Sequence, residues 1–124
     1  MFNSKQEKLE VIVGADSAIH GNVTSKGTIR IDGKLEGNIT SDCLIIGEKG
    51  VVTGDAAVRQ IIVGGRLTGN INASEGVDIQ RTGNIYGDIS AARISMAEGG
   101  NFDGRSTMHR GQEANNKNGA AKIA

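Results

Sequence analysis

Two histidines and one cysteine are the only side chains of this 124-residue protein suited to general-base, nucleophilic or soft-ligand chemistry near neutral pH. His20 stands beside Gly21 and His109 at the edge of a polar tail. Cys43 has no histidine near it in sequence, so it reads as a small apolar filler rather than a nucleophile. A zinc site needs several His or Cys at ligand spacing, and calcium needs converging carboxylates; neither pattern is written here. Gly64-Gly65 has the opening of a calcium-binding nonapeptide repeat, but Arg66 and Leu67 follow and no aspartate recurs at that spacing. The residue chemistry therefore predicts no enzyme activity, no catalytic residue, no cofactor and no metal.

The elements that would carry these residues come from a repeat. A glycine, usually followed by Asn or Asp, lies between two residues that are mostly apolar at Gly21, Gly37, Gly54, Gly69, Gly87 and Gly104, with spacings of 16, 17, 15, 18 and 17. Two places before stand Ile19, Leu35, Val52, Leu67, Ile85 and Phe102; two places after stand Val23, Ile39, Ala56, Ile71, Ile89 and Ser106. Alternation of this kind puts both columns, and the glycine, on one face of a strand. Cutting at the repeat gives six coils, 11–27, 28–43, 44–60, 61–76, 77–93 and 94–110. Each opens with a second apolar pair, from Val11/Val13 and Ile29/Ile31 to Ile94/Met96.

A helical repeat fails because the alternation is two, because 19 glycines at roughly 1 kcal/mol each would cost too much in helix interiors, and because the period is too short for a helix pair. About 17 residues per coil supply three short faces with corners between them. The prediction is an all-β, single-domain triangular parallel β-helix of about six coils of 16–18 residues. The main glycines are read as inward-facing, sparing a narrow interior and reaching positive φ at a corner. A second set at Gly33, Gly50, Gly65, Gly83 and Gly100 marks the preceding corner, with Ser17 in its place in coil one. The third face turns Ser25, Ser41, Val58, Ala73, Ala91 and Met108 inward, so the bore is filled.

With no Trp, one Tyr and two Phe, the interior is a column of Ile, Val and Leu. The 14 basic and 14 acidic residues balance and form no basic stripe, which predicts no nucleic-acid partner. The sequence shows no apolar run of membrane-spanning length and no signal-peptide pattern, and its single cysteine fits a cytosolic protein. The outward column Asn22, Asn38, Asp55, Asn70, Asp88 and Arg105 is read as a structural ladder of stacked amides.

A β-solenoid has two open ends of unpaired backbone and apolar side chains, which soluble solenoids cover with caps. The head at 1–10 and the tail at 111–124 do not read as amphipathic caps, and the tail is polar and expected to be disordered. Stacking end on end is the expected outcome. The residues expected at the joints are Val11, Val13 and Ile19 at one end and Met96, Phe102 and Met108 at the other. Phe102 stands where the other five coils are aliphatic.

Over residues 11–110, through the repeated glycine phrase, and in its opening Met1-Phe2 followed by Lys5 and Lys8, the chain resembles the bactofilins, bacterial cytoskeletal proteins. The resemblance implies a right-handed β-helix core that forms homopolymer filaments without nucleotide, with like ends joined. It also implies that residues 1–10 are a flexible membrane-targeting tail, with Met1, Phe2, Lys5 and Lys8 binding the inner face of the cytoplasmic membrane. Many members carry proline-rich tails, whereas this chain has no proline. A cytoplasmic, membrane-peripheral scaffold of this kind would control cell shape or recruit cell-wall-modifying and other envelope proteins.

Two other readings are weaker. Acyltransferases with a left-handed β-helix show hexapeptide periodicity and an active-site histidine; here the two glycine sets are four residues apart, which breaks that phase, and His20 is expected to point outward. An ice- or glycan-binding solenoid would align its threonines, but Thr24, Thr40, Thr53 and Thr68 do not share one register.

Overall fold

The computed structural model describes residues 9–108, so Met1, Phe2, Lys5, Lys8, His109 and the tail at 111–124 lie outside the described residues. Every described strand pairing is parallel. The first strand, Leu9–Val13, begins two residues before the expected start of the core. Each coil contributes three strand segments, and the register carries one apolar position from coil to coil. Val11 leads to Ile29, Leu44, Ile61, Val77 and Ile94 on the first face. Ile19 leads to Leu35, Val52, Leu67, Ile85 and Phe102 on the second. Val23 leads to Ile39, Ala56, Ile71, Ile89 and Ser106 on the third.

These are the columns that the glycine phrase predicts, and they form a single filled core. Ile29, Leu44, Val52, Ile61, Leu67 and Ile85 are all 0 % exposed. Burying each such side chain contributes about 1.5 to 3 kcal/mol, so a stack of aliphatic rungs serves without aromatic residues. The inward hydroxyls turn back to the chain at the corner, where Ser41 donates to the Cys43 carbonyl at 2.9 Å and Ser25 accepts from the Gly27 N–H at 3.1 Å.

The three faces form two sheets. From the third coil onward the corner between the third and first faces is gentle enough for one strand to run round it, in Ala56–Val63, Ile71–Ile79 and Ile89–Met96. This merges those faces into a nine-stranded sheet, while the second face is a separate six-stranded one. Variation in coil length is absorbed at two corners. The corner before the second face is short at Asp32-Gly33 and Gly64-Gly65 and closes a longer turn in the other coils, as where Gly50 N–H donates to the Gly47 carbonyl at 2.9 Å. The glycine corner between the second and third faces keeps one length throughout.

At that corner the main glycines have φ between 132° and 151°, as expected, but they do not spare the interior. A Cβ built on Gly54 would fall on the carbonyl of Gly37 in the coil before, and Gly37, Gly69, Gly87 and Gly104 meet the preceding glycine in the same way. The missing side chain thus makes room along the stack, between coils, rather than in the bore.

Candidate polymerisation interface

The ends of the stack differ from its middle. At the first coil Val11, Ile19 and Val23 are half-buried although their partners one coil later are buried. Val13 is 2 % exposed, so within the subunit it belongs to the core rather than to the open end. At the last coil Met96 and Met108 are 52 % and 53 % exposed, and Phe102 and Ile94 are half-buried against the core. The strands Ala18–His20 and Asn101–Asp103 are the two edges of the six-stranded sheet. Each end therefore joins an apolar patch to a row of backbone groups without a neighbouring strand among the described residues. Val11, Ile19, Met96, Phe102 and Met108 lie on these ends; so do Val23, which opens the column of the third face, and Ile94, which closes the column that Val11 opens.

The outward Asx column is a ladder, but not of amide on amide. Asn22 Oδ1 accepts from the Asn38 backbone N–H at 3.0 Å, Asn38 Oδ1 from Asp55 N–H at 3.1 Å, and Asp55 Oδ1 from Asn70 N–H at 3.0 Å. Asn70 and Asp88 continue it to the N–H groups of Asp88 and Arg105, each at 3.3 Å. Only an acceptor is needed at each rung, so Asp serves as well as Asn. Arg105 ends the series because its side chain has donors and no acceptor.

A second device spans three coils. Arg59 donates through Nε to Asp42 Oδ1 at 2.9 Å and through Nη1 to Glu75 Oε1 at 2.9 Å, and its Nη2 lies 3.4 Å from Cys43 Sγ. The Arg59 hydrogen bond and charge hold the Asp42 carboxyl below its ordinary range against the opposing effect of burial, and Asp42 in turn raises Arg59. Cys43 is buried, as expected, but at a corner beneath this guanidinium rather than in the apolar column. The separations of 17 and 16 residues between Asp42, Arg59 and Glu75 are coil periods, a signal present in the sequence.

The residues that the sequence singled out for chemistry lie apart among the described ones. His20 points outward, 3.8 Å from Glu36 with both side chains about two-thirds exposed. No group of three His, Cys, Asp or Glu residues among the described ones could hold a metal ion. A groove of about 570 Å³ lies on the outer surface beside Glu48, Asp78 and Arg81, not in the bore. Among the described residues no helix is long and apolar enough to cross a membrane.

The family model for bactofilins, described as polymer-forming and cytoskeletal, matches residues 11–107. Bactofilin BacP of Myxococcus xanthus is 40 % identical over 98 residues, which are 78 % of this chain and 41 % of BacP. Bactofilin BacO of the same organism is 33 % identical over 98 residues, 78 % of each chain. The chain thus spans about two-fifths of one of these relatives and about four-fifths of the other. In fold it is similar to a Thermus thermophilus bactofilin reconstructed by cryo-EM as double helical filaments, with a TM-score of 0.72 and 24 % identity, covering 80 % of this chain and 99 % of that one. A filled parallel β-solenoid, matched over nearly all of its coils by this family, is a member of it: the chain belongs to the bactofilins, polymer-forming cytoskeletal proteins.

Proposed function

We propose that this protein is a scaffold subunit that stacks end to end into filaments without nucleotide. In this reading the filaments lie on the inner face of the cytoplasmic membrane, where they organise cell shape or recruit envelope proteins, and they carry out no catalysis. The observation that carries the reading is the gradient of burial along the bore. Aliphatic rungs that are 0 % exposed in the middle give way to 52 % and 53 % exposed methionines at the last coil. A second molecule stacked there removes this surface from water and gives the edge strands a neighbour. The Thermus thermophilus bactofilin, found as double helical filaments, supports assembly into filaments and their pairing. Arg105 supports joints between like ends, since in a head-to-tail joint the Asn22 N–H would meet a residue with no acceptor.

The joint in this reading is made by Val11 and Ile19 at one end and Met96, Phe102 and Met108 at the other, with Val23 and Ile94 beside them and Val13 packed in the core behind the first end. Phe102 fills the centre of the terminal rung. A Phe102→Arg variant puts a charge where the partner's apolar rung must sit, and is expected to remain folded and soluble as a short species in light scattering and negative-stain microscopy. Filaments of undiminished length from that variant would refute the assignment.

A further inference from the structure

The outer surface of the first face carries a column that neither the bore nor the end joints use. The register runs Ile12, Arg30, Ile45, Ile62, Asp78 and Ser95, one residue per coil. Ile12 is 61 % exposed, and Ile45 and Ile62 are half-buried. Three isoleucines on the solvent side of a sheet are unlike the polar outward positions of the other faces, such as Lys34, Glu36, Thr53 and Thr68. Beside them is a groove of about 400 Å³ between Arg30, Cys43, Ile45, Gln60 and Ile62. The Thr28 hydroxyl lines the same groove, is buried, and finds no hydrogen-bond partner among the described residues. Arg30 separates Ile12 from the adjacent pair Ile45 and Ile62, and that pair, with an unsatisfied buried hydroxyl beside it, marks a surface that is covered in use.

We propose that this column is the lateral contact between two filaments, and that the two subunits meet antiparallel about a two-fold axis between Ile45 and Ile62. That arrangement sets Ile45 against the partner's Ile62 and Arg30 against the partner's Asp78, and each contact occurs twice, as in any isologous interface. Parallel pairing in register would instead oppose Arg30 to Arg30 and Asp78 to Asp78. The stripe is thus complementary to itself in one orientation only. Arg30 is already oriented by its Nε bond to Asp32 at 2.9 Å, and Asp78 is approached by the Gln60 amide at 3.5 Å, so both charges are held in place on the surface. Lipid is the weaker occupant, because an anionic membrane face repels Asp78 and selects for cations alone. The inference rests on end-to-end assembly. A strip this narrow is too small to hold two lone subunits, and gains strength by recurring about every 58 Å along a filament of like-end joints, twelve coils at strand spacing.

The test is mass per unit length, measured by scanning transmission microscopy on filaments of the full chain. Wild-type filaments are expected to be paired, and Ile45→Lys/Ile62→Lys filaments single, with the value halved. Arg30→Asp and Asp78→Arg should each separate the pair by opposing like charges, and the combined swap should restore it. The swap also decides the matter should the isoleucine variant fail to fold by circular dichroism. Pairing that survives Ile45→Lys/Ile62→Lys, single wild-type filaments, or a combined swap that stays single would each overturn the proposal. Pairing that persists while binding to anionic vesicles is lost would overturn it in favour of a membrane face. Wild-type protein that never forms filaments would instead defeat the end-to-end reading itself.

Discussion

At the scale of single residues, the glycines separate two kinds of constraint. Gly54 has φ 142° and the Gly37 carbonyl occupies the space a Cβ would need; Gly21 has φ 132° and nothing within 4 Å. Alanine at Gly21 therefore bears only the conformational cost, roughly 1 to 3 kcal/mol. Alanine at Gly54 adds a backbone clash between coils and should lose more than about 3 kcal/mol. Urea midpoints of Gly21→Ala and Gly54→Ala, compared in a Phe102→Arg background to avoid polymer, check this. Equal losses would show that the positive φ, not the coil before, demands the glycine. That distinction is invisible in sequence, where the six glycines look alike; the recurrence shows that a corner needs glycine, and only the stacked backbone shows what the absent side chain would strike.

Between elements, the clasp of Asp42, Arg59 and Glu75 ties three consecutive coils at the corner where the third face meets the first. Asp42 has a folded-state pKa below its ordinary 3.8, so the stability it contributes is fully present above that value and is lost as pH falls through the lower folded value. Arg59 and Asp42 keep 34 % and 40 % of their side-chain surface in water, which limits the pair to about 1 kcal/mol. Asp42→Asn should therefore lower stability at pH 7 by up to about that amount, and the gap to wild type should close in acid, below pH 3.8. Denaturation curves at pH 7 and in acid measure it; a gap that stays constant would mean that the carboxylate charge is not what holds the coils. The Asx ladder acts at the same scale. Its pattern in sequence suggested stacked amides, but the acceptor reaches a backbone N–H one coil on, which explains why Asp55 and Asp88 interrupt the asparagines without harm.

For the whole molecule, six coils make a rod of only about 29 Å, and function at cellular length requires assembly. Polymerisation also changes what a weak anchor can do. Burying a side chain such as Phe2 yields about 1.5 to 3 kcal/mol, too little to hold one subunit on a bilayer. In the proposed reading many such tips on one rigid filament would act together, with Lys5 and Lys8 near anionic lipid. Deleting residues 2–8 should leave filaments intact by microscopy yet move them from the vesicle pellet to the supernatant. Co-sedimentation that does not change would remove the anchor from the account.

What the amino-acid sequence determined alone was the period-two alternation, the glycine recurrence and hence the strand registers, since each column of inward residues is dictated by burial on one side of a strand. It also put Val11, Ile19, Met96, Phe102 and Met108 on the first and last coils, because an end of the repeat is simply its first or last rung. Tertiary structure decided the rest. Val13 is buried, two faces fuse into one sheet, Cys43 lies under Arg59, and Ile12, Ile45 and Ile62 align on the outside. These follow from how far each corner bends and which atoms of neighbouring coils then come within reach, distances that a linear repeat does not contain.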